Sequence, residues 1–540
     1  MSNNFSSKTY NDFYKKFGPS VHHSPERFLA ISNLCSGDVL DLACGAGDLA
    51  RYYNGNYVGI DISDVAIQFA RDLNIENARF YCGDATQPLN QEGRDFDTIV
   101  MAEFLEHIKD DSEVFKNVKK WCGPNTRIII SVPNGDRVPD ETHLREFTTA
   151  QLRHKFSALG LVQFHNWPGF DRRILMTIDL NKEKTNPLAL VMIVKNEAKG
   201  LEQAILSCID LTDEIVIAVD TKSNDDTLSI AKRYADTLTH FTWKNNFAAA
   251  RNEAQLLVKS KWSLSLDGHE YVKNCTGLED KLKLDVDALL VQMEMEDGTK
   301  FFVPKIYKSS RHWNHAVHNA LDHKTHAVLK EFTIQHNRIK GQSIVATTER
   351  DKQRNEMMIS ILNDNLLKNK KDSRSLFYLA RHYKGNLQFK KSLKYFNKYL
   401  KLDTYKGERW LACYEAAMSA NAIGKHLKAL KYLRLANKTV PNRWEISKSI
   451  GMTYLLFGRW EKAIEHLVDS FKINKGDFLF NPEKKRKSDT WDKIGFCFFH
   501  LKEYKKAKVA WEEAITTEKN KAQLKLLKKR IELMDRGLIL

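Results

Sequence analysis

Two short runs carry residues whose types and spacing suit charged chemistry. In DLACGAGD (41–48), Asp41 closes an apolar run, and Gly45 and Gly47 let the backbone approach a ligand closely. In SLSLDGHE (263–270), Asp267 and His269 stand two residues apart and offer one oxygen and one nitrogen ligand. A divalent cation held there against a diphosphate would neutralise charge building on a leaving group. An imidazole in that pair suits Mn²⁺ or another transition ion better than Mg²⁺.

Both runs belong to alternating patterns of strand and helix. From residue 190, the apolar runs LVMIV, EIVIAV and WSLSL each end in polar or acidic residues, with helically spaced segments between them. Buried parallel strands alternating with crossover helices read this way and bind ligands at their carboxyl ends. Chemistry is therefore expected at Asn196/Glu197, Asp220 and Asp267/His269. The first 180 residues repeat the scheme. Asp61 ends YVGID, Asp84 follows ARFYC, FDTIVMAEFLEHI is a fourth strand entering a helix, and TRIIISVPNGD is a fifth strand. A helix is expected directly behind the glycine turn, its N–H groups available to an anion. LVQFHNWPGF and RRILMTIDL supply the last strands, and polar NKEKTNP (181–187), ending in Pro187, reads as a linker.

The N-terminal motif order resembles the class I S-adenosylmethionine-dependent methyltransferases over residues 1–180, an α/β Rossmann-like fold. The resemblance implies that Asp41, Gly45 and Gly47 face the methionine part of the cofactor, Asp61 the ribose hydroxyls, Asp84 the adenine amine, and that Glu103 lies beside the cofactor. His107 and His143 fall where similar enzymes line the acceptor side. Each is read either as a catalytic group acting on an acceptor hydroxyl or as a residue that packs a helix or orients a loop.

Residues 188–345 resemble the family 2 glycosyltransferases of the α/β GT-A fold. The resemblance implies a nucleotide-sugar donor, with a UDP-sugar expected, held by Asn196, Glu197, Asp220, Asp226, Arg251 and Asn252. It also implies a divalent metal, Mn²⁺ or Mg²⁺, on Asp267 and His269. The DxH triplet is similar to that of polypeptide N-acetylgalactosaminyltransferases, which implies His318 as a third ligand; Asn319 replaces the glutamate of that motif. Inverting enzymes of this fold need a carboxylate base. Glu270, Glu294 and Glu296 are the candidates and Glu270 is the choice; a solvated face explains the stretch from Glu294 to Asp297 equally well.

Residues 353–540 turn helical throughout. Small residues recur at Ala380, Ala417, Gly451 and Gly495, and in parallel at Ser392, Ala429, Ala463 and Ala507; both series step by 37, 34 and 44. This spacing resembles tetratricopeptide (TPR) repeats, an all-α array that binds partners or mediates self-association. Residues 351–540 hold 42 Lys+Arg against 21 Asp+Glu, a surplus of 21; with +16 for the whole chain, residues 1–350 carry −5. The basic third is read as contact with a membrane surface, a phosphate-bearing carrier, an acidic protein or a nucleic acid, or simply as solvated lysine. The basic run Lys484 to Lys487 lacks the interleaved aromatics of a nucleic-acid site.

No run of 18 apolar residues occurs, and the polar N-terminus is unlike a signal peptide, which predicts a cytoplasmic chain, at most peripheral to a membrane. Eight cysteines without paired spacing argue against a disulfide framework or a zinc ribbon. The sequence thus predicts a bifunctional enzyme that transfers a sugar to a glycan or protein acceptor and methylates a hydroxyl. The alternative is a repeat scaffold with an active methyltransferase and a degenerate glycosyltransferase domain. Methylation of a nucleic acid is disfavoured, because MAEF stands where an NPPY-like tetrapeptide would be.

Overall fold

The computed structural model describes residues 6–20, 24–87, 94–138, 140, 142–170, 172–296, 298, 300–337, 349–402, 404, 406–473, 487–518 and 520–537. Most of the expected basic run, Lys484 to Arg486, lies outside the described residues, as does Asp297. Two compact units emerge. The first comprises Met1–Gln292, Pro304–Asn314 and Leu321–Asn337, and the second Met293–Val303, His315–Ala320 and Arg338–Leu540.

The first unit holds two sheets. Strands β1 (Val39–Leu42), β2 (Tyr57–Asp61), β3 (Ala78–Cys82), β4 (Phe96–Ala102), β5 (Cys122–Pro133), β6 (Gly160–His165) and β7 (Arg173–Leu180) form one sheet in the order 3-2-1-4-5-7-6. All neighbours are parallel except β7, which runs antiparallel to β5 and β6. The chain reverses its direction of travel across the sheet at β1 and β4, so their carboxyl ends border the crevice where such sheets bind ligands.

Two expected helices are absent from this sheet. The segment behind the glycine turn makes a single 3₁₀ turn, Leu49–Arg51, because only a few residues separate Gly47 from the next turn at Asn54–Gly55. The segment after β4 likewise makes a 3₁₀ turn, Leu105–His107, and the α-helix starts only at Ser112, whose N–H is accepted by Asp110 Oδ1 at 3.0 Å.

The second sheet begins at β8 (Leu188–Val194) and continues through β9 (Glu214–Asp220), β10 (Thr237–Phe241), β11 (Trp262–Ser265), β12 (Glu270–Asn274), β13 (Ala288–Met295) and β14 (Lys300–Lys308). Its order is β10-β9-β8-β11-β14-β13, then the strand His326–His336, then β12. The four strands β10, β9, β8 and β11 are parallel and almost wholly apolar along β8 and β9, as a strand covered on both faces must be.

The two sheets are joined by a polar seam inside this unit. Glu202 accepts from Arg137 at 2.6 Å and from Tyr234 Oη at 2.7 Å, and Asn134 donates to that same hydroxyl at 3.1 Å. Thr149 Oγ1 donates to the Tyr234 carbonyl at 3.1 Å, and Arg153 pairs with Asp236 at 3.0 Å.

The second unit is built mainly from antiparallel helix pairs. Ser373–Gly385 packs with Phe389–Tyr399, Lys406–Ala422 with His426–Thr439, Trp444–Leu456 with Trp460–Lys472, and Lys487–His500 with Tyr504–Thr517. Each pair contains one member of both small-residue series, and all eight positions are buried. The first series marks the close approach directly: a Cβ on Gly495 would lie 2.6 Å from the Trp511 ring, and one on Gly451 would lie 2.8 Å from Leu467. The aromatics that flank the pairs are not uniformly packed. Trp460 stacks on His500 at 4.4 Å, whereas Tyr504 remains 41% exposed.

Because Trp511 is fully enclosed, it cannot swing away from an added methyl. Gly495→Ala is expected to destabilise the helical array by about 1–3 kcal/mol, read as a lowered unfolding midpoint in thermal or urea denaturation.

Candidate functional site

Strand ends supply the side chains in both sheets. In the first, Gly45 and Gly47 have φ of +54° and +77°, and a Cβ on Gly47 would meet Ala70 and Phe80 at 3.0–3.1 Å, so the turn tolerates only glycine there. Asp61 accepts Gly45 N–H on Oδ2 and Ser63 N–H on Oδ1, both at 2.9 Å, which aligns both oxygens while retaining lone pairs for further donors. Asp41, 4% exposed, accepts the Tyr57 hydroxyl; burial outweighs that bond and pushes its carboxyl up to about 7. Asp84 closes its own turn on Thr86, whose N–H and hydroxyl both donate to Oδ1.

Glu103 ends β4 with φ of +52°, a left-handed conformation uncommon outside glycine. Its carboxylate is fixed by Ser131 Oγ at 3.0 Å and Arg173 Nε at 2.7 Å. Glu106 and His107 follow in the 3₁₀ turn. His107 Nδ1–H donates to the Thr142 carbonyl at 3.1 Å, and its ring stands 5.2 Å from that of His143. Burial lowers the pKa of His107 and, helped by the charge on Glu103, raises that of Glu106 well above the carboxylate range. The candidates His107 and His143 are therefore brought together, with a buried acid, Glu106, beside them that sequence reasoning missed. The adjacent EH dipeptide was its only signal.

In the second sheet, Asn196 (φ +53°) follows β8 and is tied to the segment after β9: its Oδ1 accepts Asn224 N–H at 2.9 Å and Ser223 Oγ–H at 3.1 Å. Glu197 N–H donates to Thr227 Oγ1 at 2.8 Å. Asp220 is buried at the end of β9, takes Lys222 N–H at 2.7 Å and faces Lys195 at 3.5 Å. Of the two adjacent acids, Asp225 makes the connecting bonds, to Ala198 and Thr227, while Asp226 is exposed at the helix N-terminus with no side-chain cap bond.

Arg251 and Asn252 lie on the helix Phe247–Gln255, whose N-cap Asn246 accepts Ala249 N–H at 3.0 Å. Asn252 spends both ends of its amide on the Trp313 backbone, at 2.8 and 2.9 Å. Arg251 reaches Ser265 at 2.7 Å and Asp267 Oδ1 at 2.6 Å. Burial alone would raise the pKa of Asp267, but Arg251, Lys305 and His269 together hold it far below the carboxylate range.

The glycine inside DGH has a steric cause: a Cβ on Gly268 would lie 2.6 Å from Glu197 Cβ. This close approach sets His269 Nδ1 3.5 Å from Glu197 Oε1. Burial depresses the His269 pKa, yet the Glu197 bond and the Asp267 charge prevail and raise it above its ordinary value. Glu270 is buried, pairs with Lys305 at 2.5 Å and accepts Asp267 N–H at 2.9 Å, an arrangement that positions the DGH turn. His318 belongs to the second unit, where it stacks on Tyr378 at 3.8 Å and its Nε2 lies 2.9 Å from that of His382.

A cavity of about 130 Å³ opens at the seam between the sheets, lined in part by Asn134, Trp167, Phe170, Arg173, Leu206 and Tyr234. It touches the cofactor-side carboxylates only through Arg173.

Fold and strand-end residues together describe two α/β domains in tandem, followed along the sequence by a helical array. Residues 36–189 match the family model of a methyltransferase domain, and residues 189–345 that of glycosyl transferase family 2, so the chain carries one domain of each kind. It is 29% identical over 162 residues to an uncharacterized methyltransferase of Schizosaccharomyces pombe, covering 27% of this chain and 50% of that one. It is 31% identical over 91 residues to an uncharacterized glycosyltransferase of Rickettsia conorii, covering 17% and 32%. It is also 39% identical over 83 residues to a TPR repeat-containing protein of Synechococcus elongatus, covering 15% and 20%. The chain thus spans between a fifth and a half of these relatives' lengths.

The raised His269 pKa makes stability depend on pH. A cationic His269 stabilises the fold fully below its unfolded pKa of about 6.5, and the contribution is lost as pH rises through the folded value. Glu197→Gln removes the anion and is expected to flatten this loss between pH 6 and 8, read from urea midpoints at the two pH values.

Proposed function

We propose that the chain is a bifunctional glycan-modifying enzyme. Its central domain transfers a sugar from a nucleotide-sugar donor, and its N-terminal domain methylates a hydroxyl with S-adenosylmethionine. The observation that supports this best is the presence of a set of strand-end residues on each sheet, from Asp41 to His269, inside one compact unit.

The residues fit the groups they are asked to hold. Gly45, Gly47 and Asp61 leave a turn and an aligned carboxylate where a bound nucleoside would lie, and Asp41 adds an acid able to meet a cation. Asn196, Asp220 and Asp226 offer acceptors and donors to a nucleoside, while Asp267 and His269 supply the oxygen and nitrogen of a metal pair. Bound there, a divalent ion would neutralise the leaving diphosphate. Arg251 aims Asp267, Glu197 orients His269, and Glu270 with Lys305 fixes the turn between them. The repeats serve as the surface for a protein partner or for self-association, and their basic charge suits an acidic or phosphate-bearing one.

A second reading gains support from one contact. Because Asp267 is already satisfied by Arg251, it does not require a cation, as would suit a glycosyltransferase domain retained only as part of a scaffold.

Hydrolysis of a panel of nucleotide sugars by the purified chain separates the two readings. Metal-dependent turnover of one donor, reduced at least a hundredfold by Asp267→Ala, is expected; no turnover and no donor binding would favour the scaffold. For the cofactor, a carboxyl titrating near pH 7 must lose its proton to meet a cationic ligand. S-adenosylmethionine affinity is therefore expected to rise about tenfold from pH 6 to pH 8, and Asp41→Asn to abolish that rise, both measured by calorimetry.

A further inference from the structure

One group at the end of β4 has no task in either transfer reaction. Glu106 has zero exposure, and neither carboxylate oxygen has a hydrogen-bond partner among the described residues. A buried carboxyl without a hydrogen bond is either held neutral or bound to a cation, because desolvating the bare charge is strongly unfavourable. Two imidazoles adjoin it: one ligand atom each from Glu106, His107 and His143 all lie within 4.8 Å of one another.

The surroundings hold these three groups in place. The Thr142 carbonyl takes the Nδ1 proton of His107, which leaves Nε2 as its basic nitrogen, the usual outer support of a ligating histidine. The loop that carries His143 is fastened to the Glu106 turn, since the Glu106 carbonyl accepts Leu144 N–H at 2.8 Å and Arg145 N–H at 3.3 Å. Arg145 also donates to the Leu105 carbonyl at 3.2 Å and pairs with Asp111 at 2.7 Å. The nearby guanidinium of Arg173 is bound to Glu103 rather than to Glu106.

We propose that Glu106, His107 and His143 bind a divalent first-row transition ion, of which Mn²⁺ is the working example. Two imidazoles and one carboxylate suit such an ion and leave coordination positions open to oxygen ligands. The site itself stands on the geometry. Its use rests on the methyltransferase reading: the ion would hold an acceptor hydroxyl and make its proton easier to lose.

The test uses the full chain carrying Asp267→Ala, so that the glycosyltransferase triplet contributes no Mn²⁺ binding. Uptake is followed by loss of the free Mn²⁺ electron paramagnetic resonance signal. The expected result is saturable uptake of one Mn²⁺, weakened at least tenfold by adding His143→Ala and likewise by adding Glu106→Gln. Thermal melts check that each variant is folded; if Glu106→Gln is not, His143→Ala at its half-buried position decides alone. Absence of saturable uptake, or uptake that His143→Ala leaves unchanged, overturns the proposal. Calorimetric S-adenosylmethionine binding to the Asp267→Ala chain tests the underlying reading separately. Cofactor binding without Mn²⁺ uptake overturns the ion and keeps the methyltransferase, whereas failure of both removes the ion's proposed use as well as the ion.

Discussion

The seam around Glu202 and Tyr234 is the constraint on which the two-sheet unit depends. Arg137 and Asn134, from the end of the first sheet, meet Glu202 and Tyr234, from helices of the second, and Arg153 with Asp236 closes the same contact further along. Most of these are partly buried charge-assisted bonds, and separating the sheets would break them all at once. The seven-residue connection between β7 and β8 therefore works as a short tie across a packed joint rather than as a swivel. Each set of strand-end residues keeps a fixed relation to the other, which a bifunctional enzyme can use and a string of independent domains cannot.

Within each sheet, one logic repeats: a carboxylate at a strand end is aimed by a donor from a neighbouring element. Arg173 aims Glu103, Arg251 aims Asp267, Lys305 aims Glu270, and two backbone amides aim Asp61. Acids prepared in this way need no rearrangement when a charged ligand arrives, which is the physical content of preorganisation.

Much of this was legible in the sequence, because strand periodicity and the residues that end each strand are local features. Asp41, Asp61, Asp84, Asn196, Asp220 and Asp267 all sit at or just beyond strand ends, and both small-residue series lie on the paired helices. What the sequence did not show is what depends on distant partners. Tyr57 on Asp41, Lys305 on Glu270, and the burial of Glu106 arise only once the sheets assemble. The two missing helices failed for a local reason: strand-ending glycines and the polar run KDD leave too few residues for an α-helix to nucleate before the chain must turn. Asn252, assigned to the donor by the resemblance, also braces Trp313, a bond set by a segment some sixty residues away.

The left-handed backbone at Glu103 and Asn196 has a consequence for how this sequence can change. At φ of +52° and +53° a branched or bulky residue would be strained, and glycine would relieve the conformation while deleting the side chain that bonds Arg173 or the β9 segment. Few residue types satisfy backbone and side chain together: asparagine, at home in this conformation, does so at 196, and at 103 the bonds to Ser131 and Arg173 hold a glutamate there. Both positions thus leave descent a narrow corridor: drift there is confined by the geometry of the turn before any selection on catalysis acts.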